Sequence, residues 1–329
     1  MTSVDQALDP VTRALSWRPH SFHIPVMGTG FTIDTPLRVA KYGVSSVISL
    51  VDDVLMEQMR KFHCERLGEP YEPIADRDED ARARRITAFF DLLQRQISLQ
   101  TKELQASVFE PGSEITRYYE LLPDSPLKKS YLKMLATTDP AEKARMQNEL
   151  RTQAVPSEID ANIMIALDCD AWRDGEKLPP FYSDAMSALR GFAQSTVRGS
   201  IVMSAGTHRR LYHYMAEFED FLPDEDGFLK KQIILKVSDY RSAKIQGKYL
   251  ARSGLWVSEY RVESCINCGG HAFPAKGLLM GPILEEFKAE RQSLTDSLYG
   301  VYSKALGEMG RTAPEPPPVR ITAQCGIST

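Results

Sequence analysis

The chain has 329 residues, 43% of them hydrophobic, and a formal net charge of −4, with acids and bases mixed along its length. That is enough apolar material for one large domain or two smaller ones, and with no basic tract it excludes a nucleic-acid or anionic-membrane footprint. No apolar run approaches the ~20 residues of a membrane helix, the N-terminus lacks a signal core, and five cysteines without framework spacing fit reduced thiols, so a cytoplasmic protein is expected.

Residues 1–20 are expected to form a surface arm. Ile24–Met27 then reads as a short strand, with Gly28-Thr29-Gly30 as a flexible turn at its end. Thr35 is placed to cap a helix, Pro36 fits its first position, and the helix is predicted to run to Tyr42 with Gly43 as its stop. Val44–Leu50, uncharged and rich in Val and Ser, is the next strand. From Asp52 to Val155 the pattern changes. Ile86, Phe89, Phe90, Leu93 and Ile97 recur at helical spacing, and Ile115, Tyr118, Tyr119 and Leu122 repeat it. Charged runs such as DRDEDARARR cover the other faces. Residues 52–155 are therefore a helical insertion. It serves either as solvated helices packed on the core or as a cap or assembly surface through which the chain could form a homo-oligomer.

The α/β rhythm then resumes over 156–329. Ile159–Leu167 is a strand with a polar Asn162 in its middle. Ser183 is placed to cap a helix whose inner face is Met186, Leu189, Phe192 and Ala193. Gly199–Ala205 is a strand ending in Gly206-Thr207-His208, and a helix follows from Arg209 to Phe221. Strand Ile233–Val237, its helix, and strand Leu255–Val262 lead into the stretch ESCINCGGHAF. Pro282–Met309 is a long amphipathic helix stopped by Gly310, and Val319–Cys325 is a last strand before Gly326-Ile327. Strand, helix, strand is the grammar of a parallel sheet whose ligands sit at the carboxyl ends of the strands. The count reaches seven strands, counting 1–51 as the arm and the first two, whereas a (β/α) barrel closes with eight. A TIM-type barrel left incomplete after its seventh strand is the expected fold.

Several strand ends present groups that can hold a ligand: Met27-Gly28-Thr29-Gly30, Asn162, His208, Lys236, Glu263, Gly269-Gly270-His271 and Gln324-Cys325-Gly326. Glycine turns let backbone N–H groups close around an anion, and the two late turns match the phosphate site usual in such barrels. Cys265 and Cys268 supply only one pair of thiols where zinc wants four ligands, so no metal is expected.

In order along the chain, IPVMGTGFTIDTPLRVAKYG, DANIM, IVMSAGTH, KKQIILKVSDYRSAKIQGKYLARSG, ESCINCGGHAF and ITAQCGIST resemble the flavin-dependent barrel enzymes grouped around nitronate monooxygenase. The flavin-dependent enoyl-acyl-carrier-protein reductases are relatives of that group. The resemblance covers about two-thirds of the chain and leaves out the insertion. It implies noncovalent FMN, with its phosphate between Gly269-Gly270 and Gly326-Ile327 and its ring against Met27, Gly28 and Thr29. Asn162 and Lys236 would bond the pyrimidine edge, where a cation stabilises the reduced ring. Glu263 opens the Gly-Gly-His turn, and His271 would orient that turn. His208 is the catalytic candidate, as a base toward a carbon acid or as an imidazolium holding an anion. Cys325 stands where the family usually has a glycine. An FMN-dependent oxidoreductase acting on a small carbon acid or activated alkene is therefore expected. The alternatives are a non-redox barrel binding a phosphorylated metabolite, and a scaffold that uses its insertion.

Overall fold

The computed structural model describes residues 19–20, 22–24, 33–165, 168–203, 208–263, 280–316 and 319–324. They fall into two units, Met1–Ala161 with Gln194–Arg198, and Asn162–Ala193 with Gly199–Thr329. The boundary passes through one strand, β2 (Ile159–Ile163), which contributes to both.

In the first unit, Ile24 bridges in parallel to Ser46, the first residue of β1 (Ser46–Ser49), which is hydrogen-bonded beside β2. Helix α1 (Pro36–Val39) tightens into a 3-10 turn, Ala40–Tyr42, and stops at Gly43, whose φ of 78° suits a residue without Cβ. Thr35 does not cap it. Its own φ and ψ are already helical and its side chain makes no cap bond, so the turn starts one residue earlier, with Leu37 N–H donating to Asp34 O at 3.0 Å. Five helices then follow in succession: α2 (Asp53–Leu67), α3 (Ala81–Ala106), α4 (Glu114–Leu121), α5 (Pro126–Ala136) and α6 (Pro140–Gln153). Asp52, Ser113, Ser125 and Asp139 cap α2, α4, α5 and α6 through their side chains, which satisfies N–H groups that a helix start leaves open. The stripe Ile86, Phe89, Phe90, Leu93 and Ile97 is buried along α3. A second core gathers Ile115, Tyr118, Tyr119, Tyr131, Met134 and Leu150, with the Tyr119 and Tyr131 rings stacked at 5.1 Å.

In the second unit the strand order is β2, β5 (Gly199–Met203), β6 (Lys231–Val237), β7 (Val257–Glu263), β8 (Arg320–Gln324). The pairings β5–β6, β6–β7 and β7–β8 are parallel, as strand–helix–strand connections require. A two-stranded hairpin, β3 (Trp172–Arg173) and β4 (Glu176–Lys177), lies between β2 and α7 (Asp184–Gln194). Its two-residue turn has positive φ at Asp174 and Gly175, the mirror-image turn that matches strand twist. Helices α8 (Arg209–Met215), α9 (Tyr240–Arg252) and α10 (Met280–Glu308) complete the unit. One face of β6–β8 is apolar, with Leu235, Val237, Tyr260 and Val262 buried, and it meets α9 and α10. The Tyr260 ring lies 6.3 Å from Phe287, and its hydroxyl sits where Gly247 carries no Cβ.

The class is thus α/β with parallel strands, and the described residues hold six main strands. The first expected strand contributes the Ile24 bridge, the rest of it lying outside the described residues, and a complete barrel is not seen. Ser183 is not the side chain that caps α7. The Asp168 carboxylate, 17 residues upstream of Ala185, accepts its N–H at 2.9 Å instead. Among the described residues no helix is long and apolar enough to cross a membrane.

Candidate functional site

Successive side chains of a strand point to opposite faces, so the register of the pairing decides which residues share a surface. Opposite the apolar face, β6 presents Ile234 and Lys236, β7 presents Glu259, Arg261 and Glu263, and β8 presents Arg320, Thr322 and Gln324. The sequence VSEYRVE is buried throughout, yet from Glu259 on every second residue is charged. Such groups persist inside only when paired. Arg261 donates to Glu259 Oε1 through Nε at 2.9 Å and Nη2 at 2.7 Å, and Thr322 Oγ1 donates to the same oxygen at 2.7 Å. Arg320 Nε lies 3.5 Å from Glu259 Oε2. Nearer the carboxyl ends of the strands, Lys236 Nζ pairs with Glu263 Oε1 at 2.9 Å, with the Glu263 side chain 5% exposed. On β6, β7 and β8, two carboxylates therefore share this face with three cations.

Asn162 joins the same face. Ile159 N–H donates to Arg198 O at 3.3 Å, which sets Ile159 beside Gly199 in the parallel ladder. Carried along the strand, that register puts Asn162 beside Val202, which pairs with Ile234. Asn162 is 1% exposed, and among the described residues neither its amide nitrogen nor its amide oxygen has a hydrogen-bond partner. Each such group costs about 1–3 kcal/mol when left unsatisfied, so the described residues give no reason to keep an amide here.

Beyond the strand ends, His208 opens α8. Its Nδ1 accepts the N–H of Leu211 at 3.0 Å, capping the helix. That bond uses the Nδ1 lone pair, so the neutral ring carries its proton on Nε2. Nε2 faces Asp168 Oδ2 at 3.4 Å, with both side chains about one-fifth exposed. Asp168 is held in turn by Ala185 N–H at Oδ1 and by Ser183 Oγ, 3.4 Å from Oδ2. The loops that follow β2 and β5 thus meet in a carboxylate–imidazole pair. In the first of those loops, Trp172 stands on the hairpin with 64% of its surface exposed.

Of the residues singled out from sequence, the structure brings Lys236 and Glu263 together, buries Asn162 on their face, and sets His208 against Asp168. Met27, Gly28, Thr29, Gly269, Gly270, His271, Gly326 and Ile327, together with Cys265, Cys268 and Cys325, lie outside the described residues. Sequence reading passed over Glu259, Arg261, Arg320 and Thr322. Their signal was the period-two alternation in VSEYRVE and RITAQ, which lay inside stretches read only as buried strand. No protein-family model matches the chain, and no curated protein matches it.

Proposed function

We propose that the chain is an FMN-dependent oxidoreductase of the nitronate monooxygenase-like class, built on a TIM-type barrel and acting on a small carbon acid or activated alkene. The observation that carries this reading is the buried Asn162 amide. It offers one donor and one acceptor side by side, and the matching ligand edge must both accept and donate. The carbonyl and N–H of a flavin's pyrimidine edge do so, whereas a phosphate ester only accepts. Lys236 lies on the same face, and its pairing with the buried Glu263 leaves a compact, charge-balanced donor. Asn162 and Lys236 fit the ring edge of FMN, and the resemblance implies that Gly269-Gly270 and Gly326-Ile327 take its phosphate. When bound, FMN supplies the electron-accepting chemistry. The chain's own residues bind and orient. Asn162 fixes the ring edge, Lys236 answers negative charge developing there, and Glu263 holds the Lys236 ammonium in place.

Purified full-length protein, or protein given FMN and then desalted, is expected to be yellow with a flavin visible spectrum. Gly270→Asp is expected to abolish that uptake by placing a carboxylate in the phosphate turn. A colourless protein that takes up no FMN, while a phosphorylated metabolite such as fructose 6-phosphate raises its melting temperature, would replace this reading with that of a non-redox phosphate-ester barrel.

A further inference from the structure

We infer that Asp168 and His208 divide the work on a carbon acid whose charge develops on oxygen, a carbonyl or nitro compound, with Asp168 taking the proton and His208 donating a hydrogen bond from Nε2 as a neutral imidazole. The substrate class rests on the function proposed above; the division of roles rests on geometry alone. His208 cannot offer Nε2 as a base while Nδ1 is engaged by Leu211 N–H, because the neutral ring holds one proton and that bond leaves it on Nε2. A neutral imidazole with its far nitrogen tied to a helix start is suited to polarising a developing oxyanion. Asp168 has the complementary shape. Oδ1 is committed to Ala185 N–H at 2.9 Å, while among the described residues the contacts of Oδ2 are longer, 3.4 Å to Ser183 Oγ and 3.4 Å to His208 Nε2.

In the step, the substrate C–H bond breaks and its proton goes to Asp168 Oδ2. The freed electron pair forms a double bond to the neighbouring carbonyl carbon or nitro nitrogen, and the displaced π pair settles on the oxygen that accepts from His208 Nε2–H. Atoms and charge balance without an oxidant, so the step can be followed without flavin.

Two measurements on the full chain test this. Long-range nitrogen–proton NMR, with His208 assigned by the signal lost in His208→Gln, is expected to show the proton on Nε2 and none on Nδ1; the reverse tautomer overturns the inference. Exchange of the α-hydrogens of nitroethane into D2O is expected to be faster than in buffer and to slow at least ~100-fold in Asp168→Asn. Asn keeps an oxygen that can accept the Ala185 N–H, so the variant removes the base and not the contact to α7. His208→Gln, which keeps an N–H donor, is expected to stay within about tenfold of wild type while His208→Ala falls further. Wild-type protein no faster than buffer, Asp168→Asn at the wild-type rate, or His208→Gln as slow as His208→Ala overturns it. A colourless protein that exchanges leaves this inference standing and removes only the flavin. A yellow protein that does not exchange removes this inference alone.

Discussion

Asn162 separates a group kept for the fold from one kept for a ligand. An amide buried on a sheet face with neither atom paired among the described residues costs stability, and a leucine of similar volume would not. In flavin-free protein, Asn162→Leu is therefore expected to leave urea stability unchanged or to raise it by about 1 kcal/mol, while FMN affinity falls at least ~10-fold, equivalent to about 1.4 kcal/mol. A stability loss above roughly 2 kcal/mol would mean that the folded chain itself satisfies the amide, and the argument for a ligand there would go. His208 is the converse case. It does a structural task, capping α8, and that task is what settles its tautomer. Both residues were legible as polar groups at strand positions. Asp168 was not, because its partners Ala185 and His208 lie 17 and 40 positions away and no local pattern joins them.

At the scale of elements, β7 is the strand on which the polar face depends. Glu259 receives Arg261 and Thr322 and lies beside Arg320, which ties β7 to the last strand through side chains as well as through the ladder. Removing one partner of a buried pair strands the other charge, whereas replacing both with apolar groups of similar size is often neutral. Glu259→Leu is expected to cost about 3–5 kcal/mol in urea unfolding, and adding Arg261→Met to recover most of it. A double variant no more stable than the single one would show that Arg261 does not depend on Glu259. The strands of the second unit were readable as elements because short apolar runs bounded by turns mark them, and α3 and α10 because their apolar stripes hold period over many turns. The hairpin after β2 was missed because two residues per strand carry no periodicity, leaving only Asp174-Gly175 as a turn signal. The polar face was missed because the whole run reads as a buried strand and the charge alternation inside it was given no weight.

At the scale of the molecule, two buried groups of the first unit make its stability depend on acid. Glu57 sits 17 positions before Ile74, and its carboxylate accepts from Arg60 Nε at 2.9 Å and Nη2 at 2.7 Å, Tyr71 Oη at 2.8 Å and Ile74 N–H at 2.9 Å. Burial alone would raise its pKa, but these donors together hold it below the ordinary 4.5. His63, on the same helix and 1% exposed, is pushed below its ordinary 6.5 by burial and by Arg66, against the pull of Asp34, 3.5 Å from Nε2. For both groups the unfolded chain binds protons more readily than the folded one, so both favour unfolding as pH falls. The His63 contribution is complete above 6.5 and fades below it; that of Glu57 is complete above 4.5 and fades below that. Thermal melts followed by helical circular dichroism from about pH 8 to pH 3.5 are expected to show a first decline below pH 6.5 and a steeper one below pH 4.5. His63→Leu is expected to flatten the first. Glu57→Gln is expected to lower the melting temperature at neutral pH, since Arg60 loses its partner, and to flatten the second. A first decline that survives in His63→Leu would show that His63 does not cause it, and a second that survives in Glu57→Gln would show the same of Glu57.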